Sequence, residues 1–123
     1  MPAVPGRRQA YPMAIKTIIV PVRDLAVARA LYRTVLGVEP YVDEPYYIGF
    51  RVGDQEIGLD PNGHNHGMTG PVGYCHVGDV TASLRAAVDV GWRTRQDVKD
   101  VGAGQLAAIV EDPSGNVLGL LQR

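Results

Sequence analysis

The sequence predicts an α+β chain made of two successive β-α-β-β-β units, and three observations carry that prediction. First, "IIVPVRDLAVARALYRTVLG" and "GYCHVGDVTASLRAAVDVG" follow one plan: a short β-type run, Val-x-Asp, then a helical segment that ends at glycine. Second, each plan is followed by two strand-like runs joined at a turn, "YYIGFRVGDQEIGLD" in the first half and "QLAAIVEDPSGNVLGLLQ" in the second. Third, the halves are joined by "PNGHNHGMTGP", whose glycine, proline and asparagine content reads as a loop. The predicted units span about residues 13–60 and 72–123 of a single domain, with 61–71 as connector and 1–12 as a loose polar extension.

Each helix start is set by an aspartate. Asp24 and Asp79 are good N-caps because a carboxylate accepts from the free amides of the first turn. Leu25, Ala28, Tyr32, Val35 and Leu36 then recur at helical spacing, as do Val80, Leu84, Ala87 and Val88. Gly37 and Gly91 stand where a left-handed residue ends a helix. A strand follows each helix, "VEPYV" and "WRTRQ". Gly53-Asp54 suits a tight hairpin, and Asp112-Pro113-Ser114-Gly115 puts proline and glycine at the second and fourth positions of a type I turn. The last strands share a core, "EIGLD" against "VLGLL". Arg93 and Arg95, on one face of the outer strand, can bind an anion, but protection of an exposed strand edge is the preferred reading.

The 123 residues fit one domain that needs no metal or disulfide staple. Hydrophobic content of 46% with 20% charged residues belongs to a soluble globular protein. A net charge of -1 supplies no basic field, so no nucleic acid is expected as partner. "MAIKTIIV" carries Lys16 and stops at Pro21, too short for a membrane span or signal core, and no membrane partner is expected. One cysteine, Cys75, cannot form an internal disulfide and suits a reducing, cytoplasmic setting.

All three histidines fall in one window: His64 and His66 in the connector, His76 on the first strand of the second unit. Imidazole is the commonest metal ligand, so a His-x-His pair plus a third ring raises the question of a metal site. No Asp, Glu or Cys within the loop completes such a site, and the expectation is a solvated loop with no metal and no cofactor.

"VRDLAVARALYRTVLGVEP", with its Val-x-Asp, Leu-Tyr and Leu-Gly, and the closing "VEDPSGNVLGLLQ" together resemble the vicinal oxygen chelate superfamily, which contains glyoxalase I, extradiol dioxygenases and bleomycin-resistance proteins. The resemblance covers roughly Met13 to Arg123. It implies paired units whose curved mixed sheets surround a central cavity, and a homodimer. In metal-dependent members it implies one ligand five residues before the valine of Val-x-Asp, here Thr17 and Val72. The other ligand of each unit is a carboxylate at the middle of the "IGL"-type triplet, here Gly58 and Gly119. Those four residues offer one hydroxyl and no anion, so the usual metal is not expected, and Gly58 and Gly119 are expected to leave open volume.

On that frame, strand alternation turns Thr17, Ile19, Pro21, Val72, Tyr74 and His76 toward the cavity, with Glu56, Gly58 and Asp60 beside them. Cys75, Ile57 and Leu59 face the helices, and Cys75 reads as a small buried hydrophobe. The expected ligand-binding set is Thr17, Tyr47, Arg51, Glu56, Asp60, Tyr74 and His76, a mainly apolar wall with convergent polar groups. His76, near a carboxylate, is the candidate general base. The five tyrosines from Tyr11 to Tyr47 suit the tail, first helix and outer strands and also a dimer contact. The function expected is binding of a small organic molecule without the usual metal. The alternative is a metal-dependent lyase, isomerase or dioxygenase of the same superfamily using His64, His66 and His76.

Overall fold

The computed structural model describes residues 14–123, so the extension expected at 1–12 lies outside the described residues. Both helices begin where capping chemistry puts them. Asp24 Oδ1 accepts from the Val27 amide at 3.1 Å and Asp79 Oδ1 from the Ala82 amide at 3.0 Å, opening α1 (Leu25–Leu36) and α2 (Val80–Asp89). Gly37, at φ 72°, closes α1 and donates its amide to the Arg33 carbonyl. We expect Asp24→Ala and Asp79→Ala each to lower the unfolding free energy by about 1 kcal/mol, near-additively because they cap separate helices. Denaturant midpoints unchanged in both variants would remove the caps from the account.

The strands are β1 (Ile15–Pro21), β2 (Val42–Glu44), β3 (Tyr47–Val52), β4 (Gln55–Asp60), β5 (Val72–His76), β6 (Arg93–Gly102), β7 (Gln105–Glu111) and β8 (Val117–Gln122). They form one eight-stranded sheet in the order β2-β3-β4-β1-β5-β8-β7-β6. The duplication is visible in that order. β1 runs parallel to β4 and β5 parallel to β8, the remaining pairs within each unit are antiparallel, and an antiparallel β1–β5 pair joins the units.

Helix α1 covers β3 and β4, burying Ala28, Ile48, Phe50, Ile57 and Leu59, while α2 covers the second unit over Val80, Leu84, Ala108, Val110 and Leu120. Phe50 and Leu59 are wholly buried, each contributing about 1.5–3 kcal/mol. Because side chains alternate along a strand, packing Ile57 and Leu59 under α1 sends Glu56, Gly58 and Asp60 to the opposite face. Residues near both sheet edges, Val42 on β2 and Lys99 on β6, line one cavity on that face, so the sheet curves around it.

The two turns form as their residues require. Val52 pairs with Gln55 across Gly53-Asp54, with positive φ at Gly53 alone, the type II′ pattern. Asp112 Oδ1 accepts from the Ser114 and Asn116 amides, and the Gly115 amide donates to the Asp112 carbonyl at 3.0 Å. The outer strand read at "WRTRQ" runs further than expected, since residues 97–102 are strand as well. β6 continues to Gly102 through three register breaks against β7 before turning at Ala103-Gly104. Those breaks destroy the two-residue alternation by which a strand is legible. Arg93 and Arg95, also on β6, both donate to Glu111 of β7, at 2.8 and 2.7 Å. Among the described residues, no helix is long and apolar enough to cross a membrane.

Candidate functional site

The concave face encloses a cavity of about 710 Å³ lined by both units of one chain, within the range of small-molecule sites. Its polar centre is Glu56, only 5% exposed, on β4 directly beside Thr17 of β1. The β3–β4 hairpin places Arg51 opposite Glu56 on the neighbouring strand. Arg51 Nη2 donates to Glu56 Oε2 at 2.8 Å, Tyr41 donates to the same oxygen at 3.3 Å, and Thr17 and Arg123 donate to Oε1. Burial alone would push this carboxyl up. The hydrogen bonds from Arg51 and Arg123, the Arg123 charge and the Thr17 hydroxyl outweigh burial and hold it at about 2. Glu56 is therefore a fixed anion at any physiological pH.

That charge dictates the next link. An ionised carboxylate only accepts, so the Thr17 hydroxyl proton points to Glu56. His76 Nε2, 2.8 Å from the Thr17 oxygen, must then carry a proton and donate it. Burial lowers the His76 pKa, with the Arg123 and Lys16 charges adding to it and Glu56 opposing, so the ring is neutral near pH 7 with its bare nitrogen at Nδ1. His76 sits behind Thr17 rather than on the cavity wall. Any influence of His76 on a ligand passes through the Thr17 hydroxyl.

The tyrosines give the clearest departure from expectation. Gly58 and Gly119 do not leave open volume. A Cβ at Gly58 would overlap the Tyr47 hydroxyl end, and one at Gly119 would overlap the Tyr74 ring, Cγ included. The two rings lie over the two glycines, which is why neither position carries a side chain. Burial, with smaller contributions from Tyr41 and Glu56, pushes the Tyr47 phenol up to about 12, and burial followed by Asp60 raises Tyr74. Both stay neutral hydroxyls at the wall.

This geometry tests the metal implied by the resemblance. Thr17 already serves Glu56 and His76, Val72 has no donor, and the two carboxylate positions are glycines beneath aromatic rings. The residues do not fit a divalent cation there. His64 and His66 form a one-turn 3₁₀ helix after β4, and His66 reaches the cavity wall. Among the described residues, no three His, Cys, Asp or Glu side chains converge in a way that could hold a metal.

Of the expected set, Thr17, Tyr47, Arg51, Glu56, Asp60 and Tyr74 line the cavity and His76 stands one bond behind it. Cys75 packs on the second core, its thiol pKa raised by burial. Sequence reasoning missed Tyr41, Tyr46, Lys99 and Arg123 on the wall. Two of them had a signal. Continuing the alternation Gly119, Leu121 brings Arg123 to the cavity side, and the glycine at 49 marks room for the Tyr41 and Tyr47 rings, which a Cβ there would crowd. Tyr32 packs on the first core, and Tyr11 lies outside the described residues.

A duplicated β-α-β-β-β chain whose units close one ligand-sized cavity over paired central strands defines a class of cavity proteins rather than one activity. The family model of the Glyoxalase/Bleomycin resistance protein/Dioxygenase superfamily matches residues 14–120, and the chain belongs to that superfamily. Among curated proteins, none matches it. Among solved structures it is similar to an NAD-dependent benzaldehyde dehydrogenase from Legionella pneumophila, at 16% identity and a TM-score of 0.72, covering 86% of this chain and 96% of that one. It is also similar to a glyoxalase/bleomycin resistance protein/dioxygenase superfamily member from Vibrio splendidus 12B01, at 14% identity and 0.67, covering 90% and 98%. A third is methylmalonyl-CoA epimerase from Mycobacterium tuberculosis, at 20% identity and 0.64, covering 87% and 85%. At these identities the likeness is one of fold.

Proposed function

We propose that this protein binds a small organic molecule in the cavity between its two units, without a divalent metal at the positions used by metal-dependent members. The observation that carries this reading is the pair of tyrosine rings over Gly58 and Gly119, which turn the ligand-bearing floor into an aromatic one. Around that floor, Ile19, Ile109 and Leu121 supply apolar surface, while Thr17, Arg51 and Asp60 supply polar groups. Such a wall favours an organic ligand fixed at a few polar points. The alternative built on His64, His66 and His76 has less support, because among the described residues no three His, Cys, Asp or Glu side chains converge in a way that could hold a metal.

Metal analysis of untagged protein, with each histidine replaced in turn, tests the reading. Less than stoichiometric divalent metal is expected, with melting unaffected by chelator and by His64→Ala or His66→Ala, and with small organic molecules raising the melting temperature. Stoichiometric zinc, nickel, manganese or iron that falls when those histidines are replaced would overturn it.

A further inference from the structure

Resting on the cavity reading above, we infer that the cavity selects a molecule with an apolar body and a single carboxylate, which Arg51 and Arg123 grip. Two guanidinium groups share one carboxylate, Glu56, so the side chains of the cluster carry one surplus positive charge at the cavity wall. Because Glu56 stays ionised down to about pH 2, that surplus is constant over physiological pH. Lys99, on the same wall, makes no ion pair among the described residues and adds to the positive field.

A guanidinium has five N–H groups in a planar fork. Among the described side chains, Arg51 and Arg123 each make one hydrogen bond, to Glu56. Their side chains are 51% and 41% exposed, so the remaining donors are free to meet a ligand. Arg51 is also held in place: its guanidinium lies 4.2 Å from the centre of the Tyr41 ring while its Nη2 donates to Glu56. A fork fixed in advance suits a planar carboxylate, with less ordering to be done on binding.

A second carboxylate on the wall limits the ligand's charge. Asp60 lies on the same wall, close enough for its charge to raise both Tyr47 and Tyr74. Over that wall Arg51, Arg123 and Lys99 face Glu56 and Asp60, which leaves one net positive side-chain charge that a dianion would exceed. A monoanion is the complement, which favours a carboxylate over a phosphate ester.

The test is a matched series measured by calorimetry: phenylacetate and hexanoate beside their amides, their amines and phenyl phosphate. At least one carboxylate is expected to bind roughly tenfold or more tighter than its amide, the size of a charge-assisted hydrogen bond. Arg51→Gln should bring the carboxylate-to-amide affinity ratio close to one, and Arg51→Lys should recover part of it. Circular dichroism and melting confirm that each variant is folded. Equal binding of carboxylate and amide, insensitive to Arg51→Gln, overturns the carboxylate assignment and leaves the cavity reading standing. Tighter binding of phenyl phosphate overturns it in favour of phosphate esters. No binding by any probe also overturns it, and the thermal-shift screen then decides the cavity reading separately.

Discussion

Glu56→Gln should lower stability at pH 7 by about 2 kcal/mol and flatten the acid limb of the stability curve. In the folded chain the carboxyl is held at about 2, against 4.5 for the ordinary group. A depressed folded value means that the native state binds the proton less readily than the unfolded chain. The stabilisation is therefore complete above about pH 4.5 and is lost as pH falls toward about 2. The full difference would correspond to about 3 kcal/mol, but the guanidinium partners are half exposed and water screens part of it, which leaves about 2. Urea titrations of both proteins at pH 7 and near pH 2.5 check this. Equal losses in the two proteins over that interval would mean that Glu56 contributes no pH-linked stability. The neutral amide keeps an acceptor for Thr17, so the variant should fold.

Gly119→Ala should cost about 2–3 kcal/mol, more than Gly58→Ala at about 1 kcal/mol. In a strand, alanine in place of glycine normally gains several tenths of a kcal/mol of backbone entropy, so any loss here reports overlap. The two sites differ in what the new methyl meets. At Gly119 it strikes the Tyr74 ring at Cγ, close to the backbone of β5, which is paired directly with β8. At Gly58 it strikes the far end of Tyr47, which can swing. In a Tyr74→Ala background the Gly119→Ala cost should largely vanish, a coupling of 1 kcal/mol or more that denaturation of the four proteins would measure. An identical cost with and without the Tyr74 ring would show that the ring does not fill that position.

Local rules read the scaffold well, because each operates within a few residues. The caps at Asp24 and Asp79, the left-handed Gly37 and the turns at Gly53 and Asp112 all depend on neighbours in the chain. Repetition of that pattern made the two-unit architecture readable, and strand alternation put Thr17, Glu56 and Tyr74 on one face. Where alternation breaks, legibility ended: the bulges of β6 hid how far that strand runs past Gln96.

The sequence by itself determined that the chain has two equivalent units and which faces its strands bury, and its resemblance to the superfamily implied that the usual metal-ligand positions hold Thr17, Gly58, Val72 and Gly119. Only the tertiary structure decided what occupies the space above those glycines and how Glu56 is charged. Tyr47 and Tyr74 reach Gly58 and Gly119 across strand pairs, and Arg123 reaches Glu56 from 67 residues away. A capping bond or a turn is set by dihedral angles that the local residues choose for themselves. A pKa, a filled cavity floor and a surplus positive charge are sums over side chains that only the closed sheet brings within a few ångströms of one another.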